Sequence, residues 1–81
     1  MILHRVKSVQ PLKDYILSVS FKDGSQKEYD VKPLFNNYSM FDDLKNIPGL
    51  FDQVETDPGG YGISWNDEID LSADELWENG K

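Results

Sequence analysis

The chain contains no cysteine and a single histidine, His4. Without thiols, neither a disulfide nor a thiolate metal site can hold it together, and a disulfide-stapled secreted mini-protein is excluded. His4 could serve as a general base, but no motif ties a nucleophile to it, so it is expected to be solvated or packed. Long apolar runs are also missing. The N-terminus, MILHRVKSV, has no signal-peptide core, and no segment approaches the length needed to span a membrane. A cytoplasmic location is the default expectation. Eighty-one residues leave no room for a second core, so one domain spanning residues 1–81 is expected. A chain this short buries about 60–65% of its unfolded surface and should have a stability on the order of 5 kcal/mol.

Positive charge is scarce in the second part of the chain. Residues 1–32 carry six basic residues against four acids, a balance of +2, whereas residues 33–81 carry two lysines against eleven acids, a balance of −9. An acidic half repels phosphate backbones and favours basic partners, so direct nucleic-acid binding is not expected. The plainer alternative is that the acidity only keeps a small domain soluble.

Residues 15–31 form the clearest pattern. Leu17, Val19 and Phe21 alternate with Ser18, Ser20 and Lys22, the period of a half-buried strand. Asp23 and Gly24 supply turn chemistry, and Tyr29 and Val31 resume the alternation. A two-residue Asp23-Gly24 loop would pair Leu17 with Asp30 and put carboxylates on the apolar face. A three-residue loop, Lys22-Asp23-Gly24 with Gly24 left-handed, pairs Leu17 with Tyr29 and Tyr15 with Val31 instead. The odd loop is the better solution.

The rest of the chain supplies an α+β domain. Residues 2–12 predict a first strand, with a bulge or an early end near Pro11 because Val6 and Val9 break the alternation. An antiparallel meander of three strands follows. Pro33-Leu34-Phe35 suits one helical turn, and Ser39 is placed to cap a short helix over residues 40–46 whose Phe41 and Leu44 cover the sheet. Residues 50–56 predict a fourth strand anchored by Val54. Tyr61, Ile63 and Trp65 alternate and should bury one heavy face. Ser72 and Glu75 have the spacing of a capping box, with Leu71 and Leu76 placed for a hydrophobic staple, so a C-terminal helix is expected over Ala73–Asn79, stopped by Gly80.

Few residues offer chemistry. Asp67, Glu68 and Asp70 could hold a hard cation or a small ligand on the loop of residues 65–70, or could simply be a solvated turn; their spacing is not that of a calcium loop. Gly59, Gly60 and Gly62 precede a strand, the reverse of a phosphate-cradling order, and serve as turn punctuation. Trp65 belongs in the core. Trp77 stands at the edge of the last helix's buried face, beside Asp74 and Glu78, which are four apart on one side. Glu78 faces the negative end of the helix dipole, so helix stability does not account for it. Trp77, Glu78 and Asp74 are therefore the candidate partner-binding residues. No catalytic residue, cofactor or metal is expected.

The ordered segments SVQPLKDYILSVSFKDGSQKEYDVKPL and FDDLKNIPGLFDQVETDPGGYGISWNDEIDLSADELW resemble the bacterial domain of unknown function 2442 family over nearly the whole chain. The resemblance rests on the F-x-D-G hairpin at Phe21, Tyr29-Asp30-Val31, the G-I-x-W of Gly62 to Trp65, and the D-L-S-x-x-x-L-W that begins at Asp70. Where the family often has asparagine then glycine after the tryptophan, Asn66 is followed here by Asp67, which implies a less tight turn. The resemblance implies a small α+β fold and carries over no catalytic residue. Some relatives are similar to a domain joined to a helix-turn-helix, a segment not expected here. Others resemble antitoxin-like partners of a short basic protein encoded next door. The expectation is a non-enzymatic protein-interaction module, an acidic partner of a basic protein, with a strand edge open to pairing with a second copy.

Overall fold

The computed structural model describes residues 4–81. Its first sheet is the expected meander: β1 (Val6–Pro11), β2 (Ile16–Phe21) and β3 (Gln26–Asp30), antiparallel in that order. Leu17 pairs with Tyr29, the register of the odd loop. Phe21 N–H donates to Ser25 O at 2.8 Å around Lys22-Asp23-Gly24, and Gly24 has φ +95°. Inside the loop the Ser25 amide donates to Asp23 Oδ1 at 2.8 Å, which holds the Asp23 carboxyl below its ordinary range.

The register of β1 shifts between Val6 and Ser8, so the bulge falls at Lys7. Its effect is specific. Val6 pairs with Phe21 and Val9 with Val19, so two valines three apart reach the same inner face. The expected start of this strand at Ile2 lies outside the described residues. Between β1 and β2 the chain turns through Asp14 (φ 62°) and Tyr15 (φ 60°), both left-handed without being glycine. Such residues cost roughly 1 kcal/mol each. The turn is held by Lys32 Nζ, which donates to Asp14 O, and by the Tyr15 ring, edge-on to Phe35 and Phe51 with centroids 5.2 Å away in both cases.

The expected helical turn of Pro33-Leu34-Phe35 forms and starts one residue earlier, as α1 (Lys32–Phe35) with Pro33 in its first turn. The helix expected over residues 40–46 is instead a 3₁₀ turn, Ser39–Asp42, followed by α2 (Asp43–Asn46). Ser39 does not cap it: the turn begins one residue earlier, with Tyr38 in the cap position and no side-chain cap bond. Phe41 and Leu44 are buried as expected.

The strand expected over residues 50–56 shrinks to β4 (Glu55–Thr56), because Phe51–Gln53 is a 3₁₀ turn. The buried positions Leu50, Phe51 and Val54 follow helical spacing rather than a period of two. β4 pairs with β5 (Gly62–Ser64), which pairs with β6 (Asp70–Ser72), giving a second antiparallel sheet. Ile63 and Trp65 are buried, but Tyr61 is exposed. Tyr61 precedes β5 in a right-handed helical conformation (φ −72°, ψ −14°), so the alternation does not run through it. The Arg5 guanidinium lies over its ring, 4.1 Å from the centroid.

The two sheets and α3 (Ala73–Asn79) enclose a single core in which Val6, Leu17, Val31, Ile63 and Leu76 are wholly buried. β1 lies against β4 and β5, while α3 touches β3, β5 and β6. At Gly60 (φ +78°) the approach leaves no room for a side chain: a β-carbon would stand 2.6 Å from Val6 O. Gly24 has open space around it. Gly24→Ala should therefore cost only the left-handed penalty, about 1 kcal/mol. Gly60→Ala adds a backbone collision and should cost about 2–4 kcal/mol. Urea unfolding of both variants measures the difference, and equal costs would refute this account of the sheet junction.

Candidate partner-binding surface

The last helix is built as its sequence signals it, with one change. Ser72 Oγ accepts from the Glu75 amide at 3.1 Å, half of the expected capping box. The reciprocal bond is absent, because the Glu75 carboxylate is engaged elsewhere: Tyr29 OH donates to Glu75 Oε2 at 2.8 Å and Asn79 Nδ2 donates to the same oxygen at 2.9 Å. Ala73 and Leu76 are buried and Leu71 packs on the core. Gly80 ends the helix in an extended conformation (φ −78°, ψ 160°), its N–H donating to Leu76 O.

Trp77 is half-buried and surrounded. The His4 ring stacks on it with centroids 4.0 Å apart and planes 13° apart, and Phe21 meets it edge-on at 5.1 Å. Lys27 Nζ lies 4.4 Å from the ring centroid and donates to the Trp77 carbonyl at 2.6 Å. That ammonium also settles the end of the helix. α3 has no basic residue in its last turn. Lys27 brings its charge to the C-terminal carbonyls from β3 and offsets Glu78 there.

Asp74 and Glu78 are exposed, one turn apart on the outward side of α3. Trp77 is therefore adjacent to them but is tied to the body of the domain. Asp67 and Glu68 are exposed on the preceding loop and Asp70 at the start of β6; the loop is organised by Asn66, whose Oδ1 accepts from the amides of Glu68 and Ile69, both at 2.9 Å. Among the described residues, no group of three or more histidine, cysteine or acidic residues is arranged to hold a metal ion. Trp65 is in the core, where its Nε1 donates to Phe51 O at 3.0 Å.

Two residues that tether this helix are not among the candidates the sequence singles out, Lys27 and Tyr29. Their signal was parity. The odd loop that places Tyr29 inward places Lys27 inward too, and a lysine on an inner face needs a partner. Beside them a groove of about 480 Å³ runs along β3, with Ile16, Leu34 and Pro33 as its apolar part, Glu28, Asp30 and Glu75 as acids and Lys81 as its one cation. Burial pulls the Asp30 carboxyl upward, but the Lys32 ammonium and amide outweigh it and hold it below its ordinary range.

The fold and this surface define a small α+β domain with an acidic, outward-facing C-terminal helix. The chain belongs to the family described as Protein of unknown function (DUF2442), whose model matches residues 6–81. No curated protein and no solved structure matches it.

The Tyr29–Glu75 bond gives a pH test. Burial first, and then donation to the Glu75 carboxylate, push the Tyr29 hydroxyl well above its ordinary value of 10.0. A raised acid is neutral in the fold while its unfolded counterpart ionises. Its contribution is complete below about pH 10 and falls as pH rises beyond that. Tyr29→Phe should cost about 1 kcal/mol at neutral pH. Its stability should also fall less steeply than the wild type's above pH 10, as read from urea unfolding at a series of pH values. Parallel alkaline slopes would refute the assignment.

Proposed function

We propose that this chain is a non-enzymatic interaction module, an antitoxin-like acidic partner whose C-terminal face receives a basic protein. The observation behind this reading is unpaired charge. Asp67, Glu68, Asp70, Asp74 and Glu78 are all exposed. Among the described residues, ion pairs join Lys32 to Asp30 and Lys45 to Asp42, and none involves a carboxylate of residues 66–78. Capping accounts for the Glu75 amide and the helix dipole for Asp74, but neither accounts for Glu78 or for the three acids before β6 and at its start. A field of one sign over a rigid face steers an oppositely charged partner.

Trp77 forms the inner border of that face. Its contacts with Phe21, His4 and Lys27 mean that truncating it also loosens the fold, so charge reversal is the cleaner test. Asp74→Lys with Glu78→Lys should leave circular dichroism unchanged. It should slow association with the partner recovered from native cells at low salt by about tenfold. The wild-type rate should fall as salt is raised, since added ions screen exposed charges within about 10 Å at 0.1 M. An unchanged rate in a folded double variant would refute this surface.

A further inference from the structure

β3 is the outer strand of its sheet. The bonds that close its hairpin, Phe21 N–H to Ser25 O and Val31 N–H to Tyr15 O, determine where its peptide groups point. Those of Lys27 and Tyr29 turn toward β2, and those of Gln26, Glu28 and Asp30 turn outward. Among the described residues, one outward group is already in use. Lys81 N–H donates to Glu28 O at 2.8 Å, following an extended Gly80. The edge therefore accepts a strand-like backbone. A groove of about 480 Å³ lies along it, with apolar Ile16 and Leu34 beside Glu28 and Asp30 and with Lys81 at its border. Side chains on the outer face of β3 are Gln26, Glu28 and Asp30, without a cation among them.

We propose that the β3 edge takes an extended segment of a basic protein as an added strand. Its peptide groups pair with those of Gln26, Glu28 and Asp30, taking over the Glu28 carbonyl from the Lys81 amide, and its lysine or arginine side chains stand opposite Glu28 and Asp30. This deepens the interaction-module reading and rests on it. Strand addition draws its affinity from main-chain bonds and its selectivity from alternate side chains.

Charge selects the occupant. Directly opposed residues in an antiparallel pair lie about 5 Å apart, and like charges there are destabilising. Pairing β3 with a second copy about a twofold at Glu28 opposes Glu28 to itself. A twofold at Tyr29 opposes Glu28 to Asp30, and one at Lys27 opposes two lysines. A segment that alternates basic and apolar residues turns the acidic row into attraction and sets its apolar side against Tyr29 and Leu34. Because Lys32 already pairs with Asp30 at 2.9 Å, Glu28 is the principal acid an incoming cation meets.

The test uses a capped eight-residue peptide of alternating arginine and valine, added to the isotope-labelled chain and followed by amide NMR. Three comparisons accompany it: the same peptide with glutamate for arginine, the same peptide N-methylated at alternate positions, and the Glu28→Lys chain, its fold checked by circular dichroism. The arginine peptide should move the amide signals of Gln26, Glu28, Asp30 and Lys81 and slow hydrogen exchange at the first three. Glutamate or N-methyl groups in the peptide, or Glu28→Lys in the chain, should weaken binding about tenfold. Shifts confined to residues 66–78 would overturn the strand-addition inference while leaving the acidic-face reading standing. No shift at millimolar peptide would overturn it as well. Protection of the same amides without peptide, rising with protein concentration alongside a dimer, would overturn it in favour of a second copy.

Discussion

The loop of Lys22, Asp23 and Gly24 sets the parity of the β2–β3 hairpin, and most of the molecule follows from that parity. With Leu17 opposite Tyr29, the residues Lys27 and Tyr29 both point inward, and both take hold of the last helix. Lys27 reaches the Trp77 carbonyl and ring, and Tyr29 reaches Glu75. A slip of one residue would turn these two groups to solvent and drive Glu28 and Asp30 into the core. The sheet would lose its apolar face and the helix two of its tethers in the same step. A left-handed glycine and the Asp23–Ser25 turn therefore do more than close a hairpin; they decide which side of β3 carries charge.

A second constraint is the meeting of the two sheets. Val6 must be wholly buried beside Phe21 while Gly60 passes over its backbone. The bulge at Lys7 reconciles Val6 and Val9 with one inner face, and the glycine leaves room where any side chain would collide. Neither device is costly by itself. Together they let a chain of this length assemble two short sheets and a helix around one core rather than leave a single sheet half covered.

What the sequence made legible divides along physical lines. The hairpin and α3 are legible because each carries redundant signals: alternation plus turn chemistry in one, cap, staple and terminal glycine in the other. The second sheet is not, since strands of two or three residues are too short to display a period. Residues 50–54 mislead because Leu50, Phe51 and Val54 are apolar enough for a strand but spaced for a turn of helix. Ser39 misleads because a cap residue is a local preference and the turn starts where Tyr38 is already extended. At the candidate surface, Asp74, Trp77 and Glu78 are found together as their spacing requires. The contacts of Trp77 with His4 and Lys27 span long stretches of chain, and no local pattern encodes them.

Those contacts also bear on why a carboxylate persists at the wrong end of a helix. Glu78 opposes the dipole of α3, and within the helix nothing compensates it. Lys27 does so from another strand, at the Trp77 carbonyl, while its stem and charge cover the indole. The acid is thus tolerated without being neutralised, because the ammonium is spent on the backbone and the ring, and no ion pair joins the two side chains among the described residues. The cost of Glu78 is met inside the fold and its charge is left outside. Glu28 shows the same division on β3: its carbonyl is bonded to Lys81 while its carboxylate stands at the groove. In both places a backbone carbonyl is bonded within the fold while the negative charge of the side chain is presented outward.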